Sequence, residues 1–157
     1  MKAAVFREVN QPLVVEEVNI SKPGPREVLV RTSAAGVCHS DLHFVKGLYP
    51  TQMPIVLGHE SAGIVEQVGS DVTYVKPGDH VITCLSVFCG HCEQCLTGHL
   101  SLCASPEVRR GKEDEPRLAK DGNEVFQFAN LSSFAEPMLI HEHGLVKIRE
   151  DMPLDRA

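Results

Sequence analysis

Proline and glycine interrupt this chain so often that only short helices and strands fit between them. It contains twelve glycines and ten prolines in 157 residues, and clusters such as those at 22–25 and 76–79 are typical of turns. The runs between the turns are rich in valine and isoleucine, which favour β-strands; they are AVF, LVVEEV, EVLVRTSAAGV, AGIVEQV, HVITCLSVF and HGLVKI. The pattern predicts a mainly β fold in the form of a closed or partly open barrel.

Outside these runs the sequence predicts little regular structure. Only the stretch from Ser40 to Val45 has a helical pattern, and it allows about one or two turns. The segment from Pro106 to Glu124 is heavily charged and has no apolar face, so we expect a solvated loop there. Cys84 lies in the run HVITCLSVF, and we expect it to be a small buried residue of a strand.

The composition argues against several classes of function. A formal net charge of −6 does not suit a nucleic-acid surface, and the apolar runs are too short for a transmembrane helix. The start of the chain, MKAAVFREVN, lacks the apolar core of a signal peptide, so we expect a cytoplasmic location and no membrane partner. No two glycines are separated by a single residue. We therefore expect this chain to lack a Rossmann NAD-binding domain, which normally carries a G-x-G-x-x-G turn.

A fifteen-residue loop holds four of the six cysteines: Cys89, Cys92, Cys95 and Cys103. Four thiolates at this spacing can complete the tetrahedral shell of a zinc ion, or of iron. An iron–sulfur cluster or disulfide pairs are the alternatives, and a reducing compartment disfavours the disulfides. Four protein ligands leave zinc no open position for water or substrate, so we expect a structural site. His91 and His99 lie in the same loop and are not expected to be ligands.

A second candidate metal site combines Cys38 with His59 and Glu60, which lie close to glycines. Thiol, imidazole and carboxylate ligands suit zinc, and a catalytic zinc ion keeps one position open. The residues alone leave the assignment open, because a single cysteine or histidine is often a buried structural residue.

Several motifs together resemble those of the zinc-containing alcohol dehydrogenases of the medium-chain dehydrogenase/reductase family. They are GVCHSDLH, GHESAGIVEQVG, KPGDHV and CGHCEQC, and the family pattern GHE-x2-G-x5-G is met by Gly58, His59, Glu60, Gly63 and Gly69. The resemblance covers nearly the whole chain. It implies that residues 1–157 form the N-terminal catalytic domain, a GroES-like, partly open β-barrel with short helices and a zinc-binding lobe at about 84–105.

The resemblance also implies roles for the metal-binding residues. Cys38 and His59 would ligate a catalytic zinc ion, Glu60 would lie beside it, and Asp41 would orient the histidine ligand. The four loop cysteines would hold a structural zinc ion. The family's third catalytic ligand, a further cysteine, has no counterpart in this sequence. We therefore expect an incomplete catalytic zinc site, in a chain that corresponds to the N-terminal part of a longer enzyme.

The activity implied is NAD- or NADP-dependent hydride transfer between a small alcohol and its aldehyde or ketone. Ser40 would contact the substrate hydroxyl, His43 would be the outer member of a proton relay, and His39 would lie near the cofactor pyrophosphate. We expect the chain alone to be inactive. We also expect the surface on which the second domain of the enzyme would pack to be apolar enough to favour association. The alternatives are a non-enzymatic zinc-binding GroES-like module and a polyol or threonine dehydrogenase of the same superfamily.

Overall fold

Short strands dominate the computed structural model, which describes residues 1–111 and 113–157. The strands are β1 (Lys2–Phe6), β2 (Val14–Glu17), β3 (Asn19–Ile20), β4 (Glu27–Ala35), β5 (Ile55–Val56), β6 (Ser61–Val68), β7 (His80–Thr83), β8 (Leu118–Lys120), β9 (Asn123–Glu124), β10 (Phe126–Gln127), β11 (Pro137–His141) and β12 (Leu145–Lys147). The helices are α1 (His39–Val45) and α2 (Glu93–Leu96), with 3-10 turns at Leu100–Leu102, Pro106–Val108, Phe128–Asn130 and Glu142–Gly144. The mainly β fold and the short helix near Ser40 confirm the sequence predictions.

The strands form three sheets that curl into a partly open barrel. The largest sheet has the order β11-β4-β6-β7-β12, and every pairing in it is antiparallel. A four-stranded sheet has the order β10-β5-β1-β2, and a three-stranded sheet has the order β3-β8-β9. Within the described ranges, no helix is long and apolar enough to cross a membrane.

The main core lies against one face of the five-stranded sheet. Val28 and Val30 on β4 are fully buried, and they pack with Val65 from β6 and with Met138 and Ile140 from β11. Alternate residues of a strand share one face of the sheet, which explains why every second residue joins this core. β11 comes from a stretch in which the sequence shows mainly the turn signal Glu136-Pro137, so the strand that completes this core is not predicted.

The charged segment from Pro106 to Glu124 is not the solvated loop that the sequence predicts. It contributes β8 and β9, and Leu118 is buried. Arg110 Nε and Arg117 Nε donate to Oε1 of the buried Glu27, over distances of 3.1 and 2.7 Å. The prediction was wrong because the partner of these arginines lies 83 and 90 residues away in the sequence.

Glu27→Gln is expected to lower the free energy of unfolding by about 3 kcal/mol at neutral pH. Burial acts to raise the pKa of Glu27, but hydrogen bonds from Arg110 and Gly24 and the charge of Arg117 outweigh it and lower the pKa to about 2. When folding lowers the pKa of a carboxylate, that carboxylate stabilises the protein at pH values above the pKa of the unfolded chain. For Glu27 this pKa is 4.5. Urea unfolding should therefore show a difference between the proteins at pH 7 that shrinks as the pH falls from 4.5 toward 2.

The control for this variant is Glu66→Gln. Glu66 forms an exposed ion pair with Arg31 at 3.3 Å, and such pairs contribute about 0–1 kcal/mol. An equal loss of stability in both variants at pH 7 would contradict the prediction that the buried Glu27 carboxylate contributes more to the free energy of unfolding than an exposed one.

The prediction that Cys84 is a buried residue of a strand was also wrong. β7 ends at Thr83, and the Cys84 N–H donates to the carbonyl of Gly144 at 2.9 Å. The chain leaves the sheet at this point and enters the cysteine lobe, defined here as residues 84–105. The Cys84 side chain is therefore exposed rather than buried in a strand.

Candidate functional site

Helix α1 begins directly after the first residue of the candidate metal site. Cys38 is its N-cap, and the third helical residue, Asp41, accepts a hydrogen bond from the Cys38 N–H through Oδ2 at 3.2 Å. A carboxylate at this position satisfies an N–H group that the helix itself leaves free. The start of the helix therefore fixes the backbone that carries the Cys38 thiol.

Three donor groups meet in front of this helix. Cys38 Sγ, a ring nitrogen of His59 and a carboxylate oxygen of Glu60 all lie within 4.8 Å of one another. His59 Nε2 lies 4.0 Å from Glu60 Oε1, and the Glu60 side chain is about half exposed while that of His59 is nearly buried. The structure thus brings together the three residues that the sequence predicts as ligands of a catalytic metal.

The orientation of the His59 ring fits a metal-ligand role. His59 Nδ1 is buried and lies 3.4 Å from Asp41 Oδ1, and among the described residues it has no well-aligned hydrogen-bond partner. With Nδ1 toward this carboxylate, Nε2 is the ring nitrogen near Glu60 and would be the one that binds a metal ion. A carboxylate beside the ring nitrogen that does not bind the metal is the usual support of a histidine metal ligand. The donor set therefore fits a zinc ion with three protein ligands and an open position.

Asp41→Asn is expected to weaken cation binding at this cluster by about 10- to 100-fold. Asp41 is 3% exposed and accepts N–H bonds from Gly58 through Oδ1 and from Cys38 through Oδ2. The amide would turn an NH2 group toward one of these donors. We would measure Co2+ binding by absorption after the four-cysteine site has been filled with zinc. Asp71→Asn, at an exposed aspartate, is the control, and equal affinities in both variants would contradict the role of Asp41.

The three remaining residues with implied roles lie on α1, but they do not form one network. Ser40 Oγ lies 3.4 Å from His59 Nε2, so the hydroxyl borders the metal cluster. The ring of His43 lies between the rings of His39 and Tyr49, with centroid distances of 4.8 and 5.3 Å. Within the part of the chain that the structure describes, no hydrogen bond joins the Ser40 side chain to His39 or His43.

Residues outside the predicted set also shape this site. Gly58, next to His59, has a φ of +89°, a backbone conformation that favours glycine. A Cβ at this position would also lie 2.6 Å from the ring of Phe134, so only glycine suits it. The Phe128 ring packs at 5.5 Å from the His59 ring. The GHE motif signals the glycine, but nothing in the sequence signals that an aromatic residue so far along the chain contacts the histidine.

The cysteine lobe contains a second set of donors with a tighter geometry. Cys95 Sγ lies 3.8 Å from Cys89 Sγ and 3.5 Å from Cys92 Sγ, and Cys92 Sγ lies 3.9 Å from Cys103 Sγ. Four sulfurs at about 2.3 Å from a tetrahedral zinc ion stand about 3.8 Å apart. The spacing therefore fits one ion, whereas an iron–sulfur cluster needs space for its inorganic core between the cysteines.

The lobe favours the thiolate form of Cys89 but not that of Cys92. The backbone N–H groups of His91 and Cys92 lower the pKa of Cys89 to about 6, and the Cys92 N–H lies 3.3 Å from Cys89 Sγ. A backbone hydrogen bond from Cys95 acts to lower the pKa of Cys92, but the Cys95 side chain, burial and the side chains of Cys89 and Cys103 outweigh it and raise the pKa to about 11. Thiolates are the form that binds metal ions. All six cysteines lie within the described ranges, and none of them is paired in a disulfide there.

Comparisons with known proteins agree with this geometry. The chain is 40% identical over 161 residues to the class-3 alcohol dehydrogenase of Drosophila melanogaster and spans 42% of its length. It aligns over 98% of its length with an alcohol dehydrogenase zinc-binding domain protein from Burkholderia ambifaria (36% identity, TM-score 0.87, 43% of that chain). The benzyl alcohol dehydrogenase of Acinetobacter calcoaceticus gives similar values (98% of this chain, 42% of that chain, 35% identity, TM-score 0.85).

The chain thus spans less than half the length of these relatives. The sequence model of the alcohol dehydrogenase GroES-like domain matches residues 24–150, a range that includes both donor clusters and most strands of the barrel. The chain belongs to the alcohol dehydrogenase GroES-like domain family.

Proposed function

We propose that residues 1–157 are the catalytic domain of a zinc-dependent alcohol dehydrogenase that oxidises a small alcohol with NAD or NADP. The observation that carries the proposal is the meeting of Cys38, His59 and Glu60 within 4.8 Å, with Asp41 behind the histidine ring. Membership of the family and the names of the relatives support the same reaction.

Cys38 and His59 would hold the zinc ion, and Glu60 would be a third donor from this chain. When bound, the ion would supply Lewis acidity toward a hydroxyl or carbonyl oxygen. This Lewis acidity requires an open coordination position. The four-cysteine site has none, so its proposed zinc ion would be structural.

The proton would be handled by side chains of helix α1. Ser40 Oγ, 3.4 Å from His59 Nε2, would accept a hydrogen bond from the substrate hydroxyl and take up its proton while it releases its own proton outward. His43 would be the outer base that passes this proton to solvent, a role that suits an imidazole near neutral pH. The carbon that bears the hydroxyl would give its hydride to the nicotinamide ring, so that alcohol and NAD+ yield aldehyde or ketone, NADH and one proton.

His39 is proposed to face the cofactor pyrophosphate. It is exposed at the first turn of α1 and packs edge-to-face on His43. A protonated imidazole at this place would attract the anionic pyrophosphate. The nicotinamide cofactor would supply the redox chemistry, and this domain would supply the position of the reacting groups.

The test is a chimera in which residues 1–157 replace the aligned part of the Acinetobacter calcoaceticus enzyme. The overlap at a TM-score of 0.85 makes the exchange feasible. We expect NAD-dependent oxidation of benzyl alcohol by the chimera and none by the isolated 157 residues. A folded chimera that binds two zinc ions and NAD but has no turnover with a panel of alcohols would overturn the proposal, and would favour a zinc-binding module without enzymatic activity.

A further inference from the structure

A third group of metal-binding donors lies at the edge of the cysteine lobe. Cys89 Sγ, a His91 ring nitrogen and a Glu107 carboxylate oxygen lie within 4.8 Å of one another. His91 Nε2 is 3.1 Å from Glu107 Oε2. His91 sits between two cysteines of the loop, while Glu107 comes from the 3-10 turn Pro106–Val108 that follows the last of them.

The burial of these three residues gives the cluster an inner and an outer side. Cys89 is 3% exposed, whereas the side chains of His91 and Glu107 are 65% and 41% exposed. A cation held by all three would therefore keep an open side toward solvent. Three protein ligands and one water complete the four-coordinate shell that zinc prefers.

The charge of the lobe favours a second cation at this place. Four thiolates carry a charge of −4 and the zinc ion that they bind carries +2, so the four-cysteine site has a net charge of −2. Glu107 beside them brings the local charge to −3. A His91–Glu107 pair alone at the surface would contribute little to stability. Next to an anionic metal centre, however, the same two side chains can act as ligands at a place that attracts a divalent cation.

We propose that Cys89, His91 and Glu107 form a second divalent-cation site of the zinc type, in which Cys89 Sγ bridges to the ion of the four-cysteine site. A thiolate bound to one zinc ion keeps lone pairs with which it can bind another. The site is independent of the proposed dehydrogenase activity, and a chimera without turnover would leave it unaffected.

The experiment is a zinc titration by calorimetry on the full 157-residue chain carrying Cys38→Ala, which disables the other cluster. After the first, tight equivalent has filled the four-cysteine site, we expect one further, weaker equivalent. His91→Ala and Glu107→Gln should each weaken this second event at least 10-fold. His99→Ala and Glu93→Gln change exposed residues of the same lobe that lie outside the cluster, and they should leave it unchanged.

A second readout tests whether Cys89 is shared. Co2+ added to the zinc-loaded chain should give a sulfur-to-cobalt charge-transfer band that disappears in His91→Ala. The proposal would be overturned by the absence of a second equivalent, by a second equivalent that survives His91→Ala or is lost equally in His99→Ala, or by cobalt binding without the sulfur band. If the band persists in His91→Ala, cobalt has entered the four-cysteine site, and the shared site is likewise rejected.

Discussion

Cys95→Ala is expected to abolish metal binding by the cysteine lobe and to unfold residues 84–105 while the barrel stays folded. The buried cluster of Val87, Cys89, Cys95 and the adjoining Val108 forms the core of the lobe, and two of its four members are proposed metal ligands. Without the ion this small core has little apolar area to offset its conformational entropy. Binding of a structural zinc ion contributes about 10–16 kcal/mol in small zinc-binding units, which makes this loss one of the two largest we expect.

The measurement combines metal content with hydrogen exchange. The tightly bound zinc per chain in the freshly reduced protein should fall by one equivalent, and the amides of residues 84–105 should exchange freely. Amides of β4 and β6 should keep their protection, because their core is a separate cluster of side chains. Cys84→Ala removes an exposed cysteine at the edge of the lobe and should change neither quantity. Unchanged zinc content in Cys95→Ala would contradict the four-cysteine site.

The two donor clusters show which parts of a site can be predicted from sequence. The four loop cysteines fall within fifteen residues, so their convergence is a local property of the chain. Cys38 and His59 are 21 positions apart, and their meeting depends on Gly58 and Asp41, which tie the loop before β6 to the start of α1. The motifs predicted this meeting through resemblance to a family, whereas spacing alone left it open.

The failures of prediction share one physical cause, which is contact between segments far apart in the sequence. Arg117 is buried and Arg110 is partly buried because Glu27 accepts their hydrogen bonds, and no local pattern reveals such a partner. β11 is a strand because β4 pairs with it along five residues. Cys84 is exposed because the chain leaves the sheet after Thr83, at the point where the Cys84 N–H bonds the carbonyl of the distant Gly144. Local propensity predicts the elements, but their ends and their partners depend on the tertiary fold.

The second large effect is expected for Cys38→Ala in the chimera with the Acinetobacter enzyme. Loss of this ligand would remove the proposed catalytic zinc ion, and with it several kcal/mol of stabilisation of the transition state. Each 1.36 kcal/mol is a factor of ten, so we expect kcat to fall by roughly 10³-fold or more. Zinc content should fall by one equivalent, and the four-cysteine ion should remain. Cys84→Ala is the control, because its thiol is exposed and outside both donor clusters.

Ser40→Ala separates proton transfer from metal binding in the same chimera. Ser40 Oγ borders the cluster but is not one of its three donors, so this variant should keep both zinc ions. It should still lose about 10²- to 10⁴-fold in kcat, the usual contribution of a group that transfers the proton. If Ser40→Ala turned over normally, the hydroxyl would have no part in the reaction. If Cys38→Ala kept both its zinc and its activity, the reacting centre would have to lie elsewhere, because the four thiolates of the lobe leave zinc no position for a substrate oxygen.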